Sequence, residues 1–143
     1  MLAAIVLAGC DKKTTANDLP VPVEPVATTI VTNAPAAVVA NPEFARLKGR
    51  WERPDGGYVL EIRDVAADGK ADAGYFNPSP IKVESAQVSS EGVALKVFVT
   101  LRDANYPGCT YTLAYDPQAD QLFGKYYQAA MQETYDVTFA RQK

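Results

Sequence analysis

The sequence contains no histidine, and its 143 residues include only two cysteines and one tryptophan. Without histidine the chain lacks the usual general base near neutral pH and the commonest metal ligand in proteins. No nucleophile–base pair, phosphate-binding glycine loop or pair of carboxylates takes its place, so we predict no catalytic residue and no metal site. We therefore expect a protein that is not an enzyme and that needs no cofactor.

Clusters of basic residues are missing as well. The chain has 14 Lys and Arg against 17 Asp and Glu, which gives a formal net charge of -3. A nucleic-acid partner needs a stripe of Lys and Arg that faces the phosphates, so none is expected. With 48% apolar and 22% charged residues, the composition is that of an ordinary globular protein with room for one domain.

The first ten residues have the pattern of an export signal. Residues 2–8 are apolar but too few to span a bilayer as a helix. They run into Leu7-Ala8-Gly9-Cys10, which resembles the lipobox of bacterial lipoprotein signal peptides. In that family the cysteine is diacylated and becomes the mature N-terminus. The resemblance implies that residues 1–10 are a truncated signal peptide, that Cys10 is the lipidation site, and that the membrane is a partner through this lipid.

Two further expectations follow from the lipoprotein resemblance. A signal peptide normally opens with Lys or Arg, and none precedes Cys10, so we expect the true start codon upstream of Met1. Lipoproteins of enteric bacteria with Asp directly after the lipidated cysteine tend to stay at the inner membrane, and Asp11 stands there. The resemblance therefore implies a cell-envelope protein that faces the periplasm, with the inner membrane favoured. It also leaves Cys109 without a partner, so no disulfide is expected.

Residues 11–42 have the composition of a linker. They hold five prolines and no aromatic residue. Repeated proline removes backbone donors and interrupts both helices and sheets. We predict a flexible Pro/Ala/Thr/Val-rich tether over 11–42 and a folded domain over 43–143.

The folded domain is predicted to be all-β after a short helical turn. Asn41, Pro42 and Glu43 are typical of a helix start, and Gly49 leaves room for little more than one turn. From Leu47 onward, apolar and polar residues alternate with period two between turns such as Asp55-Gly56-Gly57 and Tyr106-Pro107-Gly108. The predicted strands are 47–53, 58–66, 71–77, 81–89, 93–102, 109–116, 122–129 and 134–141.

The alternation assigns one inner face to each strand. Val93, Leu95, Val97, Val99 and Leu101 share such a face, and Cys109 has inward parity on the next strand. An even strand number makes the last strand antiparallel to the first, and their pairing would remove both sheet edges. We therefore predict a single antiparallel eight-stranded up-and-down meander that closes into a small barrel.

Three features together resemble the lipocalin-type (calycin) barrel. They are the Gly49-x-Trp51 motif after a short helical turn, the eight-strand meander, and Arg141 with inward parity on the last strand. In that superfamily the tryptophan packs against a C-terminal arginine. The resemblance implies that Trp51 and Arg141 close one end of the barrel. The strands here are shorter than those of secreted lipocalins.

The predicted interior is rich in tyrosine. The polar ends of inward tyrosines need hydrogen-bond partners, which can be one another, water or a ligand. The candidate ligand-facing residues are Tyr58, Tyr111, Tyr115, Tyr126 and Gln128. A filled core and a ligand cup both remain open at this point.

Two functions follow from these alternatives. The first is a membrane-tethered periplasmic binding module whose lipocalin-like barrel takes a small apolar or amphipathic ligand. The second is an envelope protein–protein interaction or hydrolase-inhibitor module, which would use loops and the outer barrel surface around a filled core.

Overall fold

The computed structural model describes residues 41–143; the Cys10 site, the signal segment and nearly all of the tether lie outside the described residues. A 3₁₀ helix is followed by nine strands. The helix spans Pro42–Leu47, and the strands are β1 (Gly49–Glu52), β2 (Val59–Val65), β3 (Ala71–Asn77), β4 (Ser79–Ile81), β5 (Val83–Glu91), β6 (Ala94–Asp103), β7 (Tyr106–Asp116), β8 (Gln121–Gln128) and β9 (Glu133–Arg141).

The short helix forms where the sequence predicts a helical turn. The Asn41 side chain accepts a hydrogen bond from the Glu43 backbone N–H at 3.0 Å, and Pro42 follows as the first helical residue. Both features satisfy or remove amide donors that a helix start leaves unpaired. Phe44 and Leu47 are buried, so the helix packs on the barrel through these two side chains.

All nine strands form one antiparallel sheet in the order β4-β3-β2-β1-β9-β8-β7-β6-β5. The last strand therefore lies beside the first, with Trp51 opposite Arg141 in the register. The predicted pairing of the two terminal strands is confirmed, and so is the all-β, nearly closed barrel.

The strand count differs from the prediction because the expected fourth strand, 81–89, is two strands. β4 pairs with β3, whereas β5 pairs with β6, so the chain changes partners at Lys82. The Lys82 N–H donates to the Asp103 carboxylate at 2.9 Å, and its carbonyl accepts from the Arg102 N–H at 3.0 Å. These bonds fix the point at which the chain changes its strand partner. As a result β3 and β5 lie side by side without pairing as strands, and we call this boundary the seam.

The seam is closed by a few contacts of the β2–β3 turn rather than by a full ladder. The Gly69 carbonyl accepts the Val88 N–H at 2.7 Å, and the Gln87 side-chain amide donates to the Asp68 carbonyl at 2.9 Å. A Cβ at Gly69 would lie 2.2 Å from the Val88 carbonyl oxygen, and its φ is +85°. Only glycine lets the turn approach β5 this closely.

Two local predictions are wrong. Tyr106-Pro107-Gly108 is not a turn: β7 begins at Tyr106, and the chain turns at 104–105. The register of β6 and β7 shifts at this point, and Gly108 has a φ of +87°, so the Pro-Gly pair serves a bulge. Val93 does not face the interior; it lies in the β5–β6 turn, fully exposed, because the inward phase of β6 begins at Leu95.

The buried apolar side chains form one hydrophobic core inside the barrel. Leu95, Val97, Val99 and Leu101 are buried as the alternation predicts, and Cys109 is completely buried as a free thiol. The largest fully buried side chains come from the 3₁₀ helix and from β1, β2, β3, β7 and β9; they are Trp51, Tyr75, Tyr111, Phe139, Leu47 and Leu60.

Candidate functional site

One end of the barrel is closed by Arg141 and the 3₁₀ helix. The Arg141 guanidinium carbon lies 4.0 Å from the centroid of the Trp51 ring. Its two terminal nitrogens donate to the carbonyls of Arg46 and Lys48, both at 2.6 Å. The Trp51 indole N–H in turn donates to the Leu47 carbonyl at 2.9 Å. Both side chains thus fasten the end of the helix over the barrel.

Gly49 makes room for this arrangement. A Cβ at Gly49 would lie 2.8 Å from Nη1 of Arg141, and the φ of Gly49 is +134°, where side chains are strained. A side chain at this position would therefore have to displace the Arg141 guanidinium and adopt a strained backbone conformation. The spacing of the motif brings both Gly49 and the Trp51 ring into contact with one guanidinium.

Tyr115 belongs to the closed end, which corrects its assignment as a ligand-facing residue. Its ring packs edge-on against Trp51 at a centroid distance of 5.9 Å, and its hydroxyl donates to Asp120 at 3.1 Å. Asp120 also accepts from Nε of Arg141 at 2.8 Å, and this bond holds the pKa of Asp120 below its usual value. Tyr115 lies near the C-terminal end of β7, beyond Tyr111 and Leu113, and so faces the helix-covered end.

A pocket of about 460 Å³ opens elsewhere in the barrel. This volume lies within the range of small-molecule sites, roughly 300–1,000 Å³. Four of the five candidate ligand-facing residues line it: Tyr58, Tyr111, Tyr126 and Gln128. The remaining lining residues are Arg53, Asp55, Tyr75, Asn105, Tyr106, Tyr135 and Asp136.

Four tyrosine rings form a continuous series along the pocket. The centroids of Tyr75 and Tyr111 are 5.4 Å apart, those of Tyr111 and Tyr126 are 4.6 Å apart, and those of Tyr126 and Tyr135 are 6.4 Å apart. Tyr75 is 1% exposed and Tyr135 is 39% exposed, so the series runs from the buried base of the pocket to its rim. We call these four residues the tyrosine ladder.

Arg53 places a cation beside the base of the ladder. Its side chain is only 11% exposed, and its guanidinium carbon lies 4.6 Å from the Tyr58 ring centroid. Asp55 accepts hydrogen bonds from Nε at 2.9 Å and from Nη2 at 2.5 Å, while Nη1 donates to the Tyr111 hydroxyl at 3.4 Å. Burial pulls the pKa of Arg53 down, but the bonds to Asp55 and Tyr111 outweigh it and leave the pKa raised. The guanidinium is therefore a permanent charge in the pocket.

The phenol groups at the base stay protonated. The hydroxyls of Tyr75 and Tyr111 share a hydrogen bond of 2.7 Å, and burial raises the pKa of both. Burial also raises the pKa of Tyr126. Phenols with such pKa values remain neutral hydrogen-bond donors throughout the physiological pH range.

Seven lining residues of the pocket were not among the candidates, and three of them show why sequence reasoning missed them. Arg53 lies two residues after Trp51 and so has the same inward parity. Extending the alternation of β1 by two residues would have placed Arg53 among the candidates. Tyr75 lies in a correctly predicted strand, but the alternation there is weak because residues 71–74 are small or acidic and Phe76, directly after Tyr75, is also aromatic. Tyr106 was missed because it was assigned to a turn.

The outer face of the barrel carries a second feature of interest. Phe98, Phe123 and Tyr127 are 43%, 49% and 37% exposed, although an outer strand face is normally polar. They lie on β6 and β8, on either side of the outward threonines of β7. We call these three side chains the outer aromatic group.

Neither a protein-family model nor a curated protein nor a solved structure matches this chain. The nearly closed barrel is compatible with the lipocalin-like architecture that the sequence suggests. Within residues 41–143, no three His, Cys, Asp or Glu side chains are grouped to hold a metal ion. In the same residues, no helix has the length and apolar character needed to cross a membrane.

Proposed function

We propose that this protein is a binding module that takes a small amphipathic molecule into the pocket of the tyrosine ladder. The observation that supports this most is the contrast between the two parts of the barrel interior. Trp51, Arg141 and the helix cover one end, whereas the ladder borders an open pocket of about 460 Å³.

The pocket is suited to a ligand with an apolar body and a polar end. Six tyrosine side chains line it, and tyrosine buries apolar surface at little entropic cost. Its base carries the Arg53 guanidinium and the hydroxyls of Tyr75 and Tyr111, all fixed by mutual hydrogen bonds. A site whose polar groups are already oriented loses less entropy when a ligand binds.

Native mass spectrometry of the chain purified from its own cells tests this function. With Cys10→Ala to prevent lipidation, the chain is expected to carry a small-molecule adduct. Gln128→Trp should remove the adduct, because a bulky ring at this lining position occupies the pocket. Gln118→Trp, in the exposed β7–β8 turn, is the matched control and should keep it. A chain that is always free of small molecules, under conditions that preserve weak complexes, would contradict the proposal.

The outer aromatic group favours a second candidate, an envelope protein–protein interaction or inhibitor module. Exposed aromatic side chains in one region are typical of interface cores. The same spectra distinguish the two functions. A protein-sized mass that disappears in a Phe98→Ser/Phe123→Ser variant, with an empty pocket, would support the second candidate over the first.

For the N-terminal segment we propose a lipid anchor at Cys10 that holds the module at the periplasmic side of the cell envelope, with Asp11 favouring the inner membrane. The support is the Leu7-Ala8-Gly9-Cys10 sequence. Cys10→Ala is expected to move the protein from the membrane fraction to the soluble fraction. Its circular dichroism should stay that of a β-protein, because the barrel core is drawn from residues 44–139. A variant that stays in the membrane fraction after high-salt and carbonate washes would rule out the lipid anchor.

A further inference from the structure

The outer surface of the barrel differs in chemistry from one side to the other. On β1–β3 it carries a network of ion pairs, among them Arg50–Glu61 and Arg63–Asp72. On β6–β8 the outward side chains are mostly aromatic rings and hydroxyls. The strand registers arrange them in three neighbouring rows, which read from β6 through β7 to β8 are Lys96-Ala114-Phe123, Phe98-Thr112-Lys125 and Thr100-Thr110-Tyr127. We call these nine side chains the outer patch.

The three rings of the patch have faces that no other ring or cation occupies. Among residues 41–143, no aromatic ring stacks on Phe98, Phe123 or Tyr127, and no guanidinium or ammonium lies over them. Phe76, an outward aromatic residue on β3, differs in this respect, because the Arg50 guanidinium carbon lies 5.5 Å from its ring centroid. The exposed rings of the patch are therefore available to a ligand.

Hydroxyl groups separate these rings from one another. Thr112 is exposed at the centre of the patch, beside Phe98 in its own row and diagonal to Phe123 and Tyr127. From the spacing of strands and of residues along them, the Cα atoms of the three aromatic residues are roughly 12–14 Å apart. The core of a protein–protein interface is instead a contiguous set of aromatic and apolar side chains. The patch thus alternates apolar rings with polar groups over a longer distance.

The charges of the patch are paired at its borders. Lys125 contacts Asp136 on β9 at 2.6 Å, and Lys96 contacts Glu91 on β5 at 2.5 Å. The rows also continue onto these two strands as hydroxyls, with Ser85 and Ser89 on β5 and Thr134 and Thr138 on β9. A charged ligand would have to compete with the existing ion pairs, whereas a neutral polar ligand would not.

From the uncovered rings, the hydroxyls between them and the paired charges, we propose that the outer patch binds an extended neutral oligosaccharide. A pyranose ring has C–H faces that pack on aromatic rings, and hydroxyls at its edge that exchange hydrogen bonds with threonine. The rings are farther apart than the length of one sugar, so a chain of several sugars is needed to contact two of them. This inference goes beyond the proposed function, because it uses the outside of the barrel and not the pocket.

Titration calorimetry of the full chain with Cys10→Ala, at physiological salt, tests the inference with four probes. Two are neutral hexamers, cellohexaose and the N-acetylglucosamine hexamer; the others are the cationic glucosamine hexamer and free glucose. We expect a neutral hexamer to bind at least about tenfold more tightly than glucose, because it contacts more than one ring at once. The glucosamine hexamer, which has the same linkage but a charge on each sugar, should bind more weakly than the neutral hexamers.

Substitutions then assign the binding to the rings. Phe98→Ala/Phe123→Ala should lower the affinity for the neutral hexamer about tenfold or more, since two ring contacts are lost. Tyr127→Ala should also lower it, whereas Tyr127→Phe keeps the ring and should bind as the parent chain does. Phe76→Ala is the matched control, an outward phenylalanine outside the patch, and should leave the affinity unchanged. Circular dichroism of each variant verifies that the barrel is folded.

The other possible occupants of the patch give different results. Neither neutral hexamer binding, or equal binding by the parent and Phe98→Ala/Phe123→Ala, would overturn the inference. A bound protein, or a dimer of this chain in analytical ultracentrifugation, that this double variant abolishes while no hexamer binds would assign the patch to a protein and overturn it as well.

The pocket and the patch can fail separately. Phe98 and Phe123 do not line the pocket, so Phe98→Ala/Phe123→Ala should keep the small-molecule adduct in native mass spectra. A chain that binds the neutral hexamer but never carries an adduct would contradict the proposed function and leave the oligosaccharide site standing. A chain with an adduct that binds neither neutral hexamer would do the reverse.

Discussion

Trp51→Ala is expected to bring the barrel close to unfolding. The Trp51 side chain is completely buried, with Arg141 over its ring and Tyr115 against its edge. Replacing a buried tryptophan by alanine costs about 3–5 kcal/mol through lost transfer energy and the cavity left behind. Domains of this size have about 5–15 kcal/mol of stability in all. Urea denaturation followed by circular dichroism measures the loss.

The Trp51–Arg141 contact can be separated from simple burial by a double-mutant cycle. Arg141→Ala removes the guanidinium from the ring and also its hydrogen bonds to Arg46, Lys48 and Asp120. A desolvated cation–π contact contributes up to about 2 kcal/mol. Because both single changes remove this one contact, their effects should add up to more than the loss in the double variant. Thr138→Ala, an outward position on β9, should stay within about 0.5 kcal/mol. Strictly additive losses at 51 and 141 would mean that the contact contributes nothing to closure.

The closure of the barrel was predictable because its signals are local and periodic. Trp51 and Arg141 lie in strands whose alternation is unambiguous, and an even number of predicted strands set β9 antiparallel to β1. The split at Lys82 was not predictable in this way. β4 has only three residues and contains Pro80, and a strand that short leaves no periodic pattern to read.

The candidate site was only partly predictable, for a physical reason. Parity places Tyr111, Tyr115 and Tyr126 inside the barrel, but it cannot say toward which end each of them points. Tyr115 and Tyr111 share one face of β7, yet Tyr115 packs on Trp51 while Tyr111 reaches Arg53. The Tyr75–Tyr111 hydrogen bond joins residues 36 positions apart and depends on the curvature of the whole sheet. No local pattern in the sequence encodes such a contact.

The second large effect is expected at Gly124, on the inner face of β8 between Leu122 and Tyr126. A Cβ at this position would lie 2.0 Å from the Thr112 carbonyl oxygen and 3.0 Å from Cα of Leu113. Both obstacles are backbone atoms of the paired strand β7, so no side-chain rotation can relieve the clash. Gly124→Ala must therefore move β7 and β8 apart, and we expect it to lower the free energy of unfolding by about 3 kcal/mol.

Gly92→Ala is the matched control for this change. Gly92 has a φ of +63° in the β5–β6 turn, and an added Cβ there would meet open space. It should cost only about 1–2 kcal/mol, the price of a left-handed conformation for a residue with a side chain. Because Tyr126 is two residues from Gly124 and stacks on Tyr111, displacement of β8 should also reduce the small-molecule adduct in native mass spectra, whereas Gly92→Ala should leave the adduct unchanged. Equal stability losses at the two glycines would show that β7 and β8 accommodate the methyl group, and that their close approach does not hold the tyrosine ladder in register.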